Sequence, residues 1–191
     1  SDDAVYILED LPVEDRVEIL DQIPALERVV LQRSLDYPEE SAGRRMQTEY
    51  IAVPPFWTVG QAIDYMRETE DLPDSFYELF VVDPTYRLIG TVALDRLLRT
   101  KRPVSVSEIM GETAHMVQAE EDQEEVARTF ERYNLVSAAV VDEAERLVGV
   151  LTIDDIVDVI HEEHDEDMKR MGGVGDEDIS DKVLNAERSR F

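Results

Sequence analysis

Residues 79–90, LFVVDPTYRLIG, and residues 138–149, AAVVDEAERLVG, are two versions of one pattern. Each has a short β-branched run, Val81-Val82 or Val140-Val141, closed by an aspartate, Asp83 or Asp142. A turn follows, then Arg87-Leu88 or Arg146-Leu147, then a glycine, Gly90 or Gly149. Such runs bounded by turn residues predict a buried strand, a turn and a second strand. Working outward, Met46 to Val53 (MQTEYIAV) answers Met110 to Val117 (MGETAHMV). The helical stretch Val59 to Met66 (VGQAIDYM) answers Gln123 to Phe130 (QEEVARTF). The first copy carries five extra residues, in the loop around Thr69 to Phe76. Each copy closes with a predicted helix, Leu94 to Arg99 and Asp154 to His164. The unit is therefore short strand, helix, strand, turn, strand, helix. One unit of ~60 residues buries little alone, so two copies are expected to share a core across their sheets.

The flanks read differently. The first 40 residues suggest short helices, with Pro12 and Pro24 each at a first helical position, where a missing N–H costs nothing. Val13, Val17 and Leu20 stripe one helix; Leu26, Val29, Val30 and Leu35 stripe the next, as in a helical hairpin. At the other end, Gly172-Gly173-Val174-Gly175-Asp176 reads as a break. Ser180 fits the cap of a last helix, with Asp181 in its first turn and Arg188 and Arg190 in its last, an order that suits the helix dipole.

The 191 residues carry 45 acids, 19 bases and a net charge of −26. That balance opposes nucleic acid, whose binding needs Lys and Arg to displace counter-ions, and opposes docking on anionic lipid. Hydrophobic content of 43% is that of a folded domain. Without cysteine there is no disulfide, thiolate metal site or cysteine nucleophile. No apolar run is long enough to span a bilayer, and both ends read as cuts in a longer protein. The acid is concentrated in Ile153 to Met168, IDDIVDVIHEEHDEDM, which holds no Lys or Arg. Ile153, Ile156, Val157, Ile160, His164 and Met168 mark its apolar stripe, while Asp155, Asp158, Glu162 and Glu166 fall one turn apart on another face. Like charges so spaced each cost roughly 0.2–0.5 kcal/mol. A bound divalent cation would offset that cost. So would dissolved counter-ions, and generalised acidity of the halophile kind serves solubility.

The repeat resembles a tandem pair of cystathionine-β-synthase-type (CBS) modules. Tyr37-Pro38-Glu39-Glu40-Ser41-Ala42-Gly43-Arg44-Arg45-Met46 resembles the junction between helical N domain and CBS pair in the MgtE family of magnesium channels. Asp122 to Ala127 and Thr152 to Asp158 also read like that family. The resemblance implies an α/β (α+β) chain divided into the end of a helical N domain (1–43), CBS modules at 44–104 and 105–168, and a linker and connecting helix (169–191) leading to an absent membrane pore domain. It implies a Mg²⁺-sensing cytoplasmic module of a cell-membrane protein, working as a homodimer and reaching the membrane only through the missing spans. The implied metal positions are Glu124, Asp155, Asp158, Glu163, Glu166 and Asp167. Asn134 stands where the family has an acid. Near the start Asp2 and Asp3 are present, but Tyr6 occupies the later position of the family's acid pair. CBS pairs also bind adenine nucleotides such as ATP through a Ser/Thr-x-x-Asp turn. Thr152 and Asp155 fit that turn in the second copy, whereas Ala93 and Arg96 replace both residues in the first.

Other chemistries are less well supported. His161-Glu162-Glu163-His164 places two imidazoles one turn apart but is not His-Glu-x-x-His and shows no third zinc ligand. No serine sits in a nucleophile context with a clear His-acid partner, so an enzyme ranks last. Trp57 reads as packing. The expected function is a divalent-cation sensor that gates a pore. The rivals are an adenine-nucleotide sensor and a plain dimerisation module of an acidic proteome.

Overall fold

The computed structural model describes residues 2–9, 11–112, 115–157 and 159–161. Three helices open the chain: α1 (Asp2–Glu9), α2 (Val13–Gln22) and α3 (Ala25–Leu35). Their shared core is Val5, Leu8, Leu20, Leu31 and Leu35. Only two of the seven residues in the predicted stripes are buried. Leu20 and Leu35 turn inward, but Val13, Val17, Leu26, Val29 and Val30 are exposed, Leu26 by 81% and Val29 by 65%. These helices of 10 and 11 residues carry apolar side chains on more than one face. Periodicity alone does not choose among faces; packing against α1 selects the one bearing Leu31 and Leu35. Pro12 and Pro24 sit one place earlier than expected. With ψ near 145° and 142° they are the N-caps, and their carbonyls accept the first helical bonds from Arg16 and Arg28.

A short helix, α4 (Ala42–Arg45), leads into the first copy: β1 (Ala52–Val53), α5 (Val59–Glu68), β2 (Glu78–Val82), β3 (Leu88–Ala93) and α6 (Leu94–Arg99). The second copy repeats it: lead helix α7 (Val106–Ile109), β4 (Met116–Gln118), α8 (Gln123–Tyr133), β5 (Ser137–Val141) and β6 (Leu147–Thr152), after which residues 153–157 and 159–161 are helical. Each sheet has three strands in sequence order, the first pair parallel and the second antiparallel. The expected strand–helix–strand–turn–strand–helix unit is therefore present twice. The facing sheets bury Phe80, Val82, Leu88, Ala139, Val141 and Leu147 between them. Trp57 packs on the first core, edge-on to Tyr65 at 5.4 Å.

The copies also exchange their lead segments. Met46 and Ala42, which precede copy one, lie in the core of copy two; Val106, Ile109 and Met110, which precede copy two, pack in the core of copy one. Gln47 pairs with Val150 of β6 through N–H···O bonds of 2.8 and 2.9 Å, and Gly111 pairs with Thr91 of β3 at 2.9 and 3.2 Å. This exchange explains the two glycines of the repeat. A Cβ on Gly149 would lie 2.4 Å from Met46 Sδ and 2.8 Å from the Gln47 carbonyl; one on Gly90 would lie 2.8 Å from the Gly111 carbonyl.

Candidate functional site

The end of β6 builds the site. Thr152 closes the strand and the helical turn begins at residue 153, which puts Asp155 three residues beyond the cap. Asp155 Oδ2 accepts from the Thr152 backbone N–H at 2.7 Å and from the Thr152 hydroxyl at 2.8 Å. This is the carboxylate half of a capping box, which satisfies an otherwise orphaned donor at a helix start. The Ser/Thr-x-x-Asp spacing thus has a structural use before any ligand is considered. In the first copy Ala93 caps α6 with no side-chain bond, so that arrangement is absent there.

Gln47 completes the cluster. Its backbone is held by Val150, and its Nε2 donates to Asp155 Oδ1 at 3.0 Å and Oδ2 at 3.2 Å. Thr152 also lines a shallow, open cleft with Tyr50, Phe76, Glu78 and Ser137, whose cavity volume is only about 20 Å³. There Ser137 Oγ donates to Glu78 Oε1 at 2.7 Å. Aromatic rings and hydroxyls line the cleft, but as it stands it has room for little more than a water, and Asp155 already spends its carboxylate on Gln47 and Thr152.

Glu124 stands elsewhere, in the first turn of α8, a favourable place for an acid beside the helix N-terminus. Asp122 caps that helix by accepting from the Glu124 N–H at 2.8 Å. The Glu124 carboxylate is about half exposed and lies 3.5 Å from Arg128. Glu124 and Asp155 are thus committed to different neighbours, and among the described residues no group of three or more His, Asp or Glu is placed to hold a metal ion. Asp158, Glu163, Glu166 and Asp167 lie outside the described residues, as do His164 and the segment from Gly172 onward; His161 is exposed. Asn134, which replaces an expected acid, is the left-handed C-cap of α8 at φ 50°, a conformation Asn tolerates better than most residues.

Sequence reasoning missed two further groups. One is Gln47 itself. The other is a basic joint between α1 and the CBS pair. Glu9 lies 3.7 Å from Arg44 and 3.8 Å from Arg45, Arg45 donates to Gln123 of α8 at 3.0 Å, and its guanidinium lies 5.9 Å from the centre of the Tyr6 ring. Arg44 also donates to the Tyr37 carbonyl at 2.8 Å. The legible signal was Arg44-Arg45 itself, two adjacent bases in a chain so rich in acid.

The geometry can be set beside known proteins. The CBS domain family model matches residues 42–102 and 106–162. The magnesium transporter MgtE of Bacillus subtilis (strain 168) is 32% identical over 175 residues, 92% of this chain and 39% of that protein. MgtE of Thermus thermophilus is 37% identical over 149 residues, 78% of this chain and 32% of that protein. The chain therefore spans less than two fifths of these relatives. Among solved structures, the cytosolic domain of the Mg²⁺ channel MgtE in complex with ATP is 33% identical with a TM-score of 0.76, covering 83% of this chain and 64% of that one. The soluble part of a magnesium transporter is 30% identical with a TM-score of 0.80, covering 85% and 63%. The CBS match accounts for the repeat, the MgtE matches continue into the helical segment before it, and the chain belongs to the CBS-domain family as a tandem pair of the MgtE type.

Proposed function

We propose that this chain is the cytosolic regulatory module of a magnesium channel or transporter, and that it senses Mg²⁺. The observation that carries the reading is the reach of the MgtE similarity. It covers 92% of the chain, helical segment included, whereas a generic CBS pair would match only the repeat. The charge supports it: −26 per chain, or −52 for the homodimer we propose (2 × −26), stores repulsion that divalent ions relieve. Mg²⁺ favours carboxylate oxygens and keeps several waters, so it suits sparse acids on facing surfaces. Glu124, Asp155, Asp158, Glu163, Glu166 and Asp167 are the proposed ligands, all from the second CBS copy, and the ions they hold would bridge it to the helical segment and the connecting helix. At low Mg²⁺ repulsion holds these parts apart. At high Mg²⁺ bridging ions draw them together and favour a closed pore in a membrane domain of the same polypeptide.

A ligand shifts such an equilibrium only by its differential affinity for the two states. At ten times its Kd each site contributes about 1.4 kcal/mol, so several weak sites suffice together. The test is small-angle scattering during a MgCl₂ titration, against NaCl at matched ionic strength. Compaction in millimolar MgCl₂ but not in NaCl is expected; identical curves would leave only screening and remove the sensor role. Lys at positions 155 and 158 (Asp155→Lys, Asp158→Lys) should abolish much of the response.

A nucleotide-sensing role is the second reading, favoured by the cleft that Thr152, Tyr50 and Phe76 line. The solved MgtE cytosolic domain in complex with ATP makes the cleft worth testing. An ATP arm without Mg²⁺ in the same titration addresses it. Stabilisation by ATP that Thr152→Ala removes would place nucleotide in that cleft.

A further inference from the structure

A second concavity lies on the other side of Tyr50, between α3 and the hairpin tips of the CBS pair. It encloses about 300 Å³, within the ~300–1,000 Å³ typical of small-molecule sites. Val30 of α3, Met46 and Leu147 give it apolar walls, and Tyr50, Tyr86 and Arg33 supply its polar edge. The sequence predicted that Val29 and Val30 would be core; they face this groove or solvent instead.

Three observations point to a ligand class. First, the chain has 45 acids to 19 bases, yet no Asp or Glu lines this groove while Arg33 does. Second, Arg33 is exposed and makes no ion pair or side-chain hydrogen bond among the described residues. Arg28, Arg87, Arg102, Arg128 and Arg146 are each paired with a carboxylate. Other arginines, Arg67, Arg99 and Arg132 included, share with Arg33 the lack of a partner among the described residues, but none of them lines this groove. Third, the Tyr50 hydroxyl reaches the Leu147 carbonyl at 3.4 Å and shares a hydrogen bond with Tyr86. Burial first, and then that bond, push the Tyr50 phenol well above the ordinary range, so it stays a neutral hydroxyl.

We propose that this groove is a binding site for a small organic carboxylate with an aromatic or apolar body, Arg33 taking the carboxylate and Val30, Met46 and Leu147 the body. The long-range field of an acidic chain disfavours any anion, but it is screened beyond ~8 Å at physiological salt. At shorter range the guanidinium acts on a carboxylate through charge-assisted, bidentate bonds. The body contributes by leaving water. The site is distinct from the Thr152 cleft and from the acidic surfaces proposed for Mg²⁺.

The test is an amide NMR titration of the 191-residue chain with phenylacetate, with 2-phenylethanol as the neutral probe. Saturable shifts centred on Val29, Val30, Thr48 and Leu147 are expected, with the neutral probe at least tenfold weaker. Arg33→Gln, an exposed change that leaves the core intact, should weaken phenylacetate about tenfold or more. Val30→Trp, which fills the groove and keeps Arg33, should block it. No saturable shift up to tens of millimolar overturns the proposal. So do equal binding of the neutral probe, indifference to Arg33→Gln, or shifts confined to the Thr152 cleft. A failure here leaves the Mg²⁺ scattering response untouched, so the two readings fall separately.

Discussion

Gly149→Ala tests whether the exchange of lead segments holds the two copies together. The added Cβ would lie 2.4 Å from Met46 Sδ, 2.7 Å from Met46 Cγ and 2.8 Å from the Gln47 carbonyl oxygen. The methionine end can turn away, but the carbonyl is backbone and is fixed by its bond from Val150 N–H at 2.9 Å. Relief therefore requires the Met46–Gln47 strand to lift from β6. Overpacking of this kind costs about 1–3 kcal/mol. Alanine returns about 0.4–1 kcal/mol by restricting the unfolded chain, because Gly149 does not use a positive φ. The expected net loss is about 1–2 kcal/mol, and a domain of this size should lose roughly 2–8 °C in Tm. Gly111→Ala is the matched control: it stands in the other exchanged segment, but among the described residues its Cβ would meet nothing nearer than the Thr91 carbonyl at 4.0 Å. That variant should be neutral or gain a few tenths of a kcal/mol. Gly90→Ala, whose Cβ meets the Gly111 carbonyl at 2.8 Å, should behave like Gly149→Ala. Urea denaturation of all three in parallel reads the difference. A Gly149→Ala midpoint equal to wild type, or a Gly111→Ala loss as large as that of Gly149→Ala, would refute the close-approach argument.

Glu9→Gln should destabilise the chain by about 1–3 kcal/mol in urea, because Arg44 is only 7% exposed and loses its counter-charge; a double-mutant cycle with Arg45→Gln showing no coupling would separate Glu9 from that joint. Asp83 is held below the ordinary carboxylate range first by the Thr85 hydroxyl and then by backbone N–H groups, and Asp142 is lowered too, burial opposing but Arg146 and Ala144 donors prevailing. Their folded pKa values lie below the unfolded ones, so their stabilisation is present above the unfolded value near ~3.9 and lost as pH falls through the folded one. Asp142→Asn should therefore flatten the stability curve in the acid limb and leave its slope near neutrality unchanged; an unaltered acid limb would contradict this. Gln47→Leu removes the amide that competes for Asp155 Oδ1, so if Asp155 is a Mg²⁺ ligand the scattering midpoint should fall by up to about tenfold, or about 1.4 kcal/mol; an unmoved or raised midpoint would take Asp155 off the ligand set.

The fold was legible where the chain repeats itself. Val81-Val82-Asp83 and Val140-Val141-Asp142 became β2 and β5 with their turns, and even the glycines were visible as singular positions. What local pattern could not give was the exchange between copies. The partner of Gly149 is Met46, about a hundred residues earlier, and nothing near Gly149 announces it. The helical flank failed for a related reason. Val13, Val17, Leu26 and Val29 have core-like spacing, but the buried face is set by contact with α1 and not by spacing. At the site, Thr152 and Asp155 were singled out by their resemblance to the Ser/Thr-x-x-Asp turn of CBS pairs, a spacing that also fits a helix cap. The sequence could not tell the cap from a ligand grip, nor name Gln47, because that bond joins residues 108 apart.

Those long-range bonds give the regulatory proposal a physical route. Glu9 on α1 meets Arg44 and Arg45, and the next two residues are Met46, in the second core, and Gln47, on Asp155. Four consecutive residues therefore tie the helical segment to a carboxylate for which a cation would compete. Asp155 Oδ2 already accepts two bonds from Thr152, so an incoming ion has to contest Oδ1 with the Gln47 amide. Winning that contest frees Gln47 at one end of a short, well-packed segment whose other end is the Glu9 joint. Because Gln47 is also fixed to β6 by two backbone bonds, the release of its side chain alone does not detach the segment. Any motion passed to α1 must therefore come from the added attraction between acidic surfaces, with the Arg44–Arg45 joint as its pivot. Breaking that joint should uncouple the helical segment from the CBS pair while leaving the ion binding proposed at Asp155 in place.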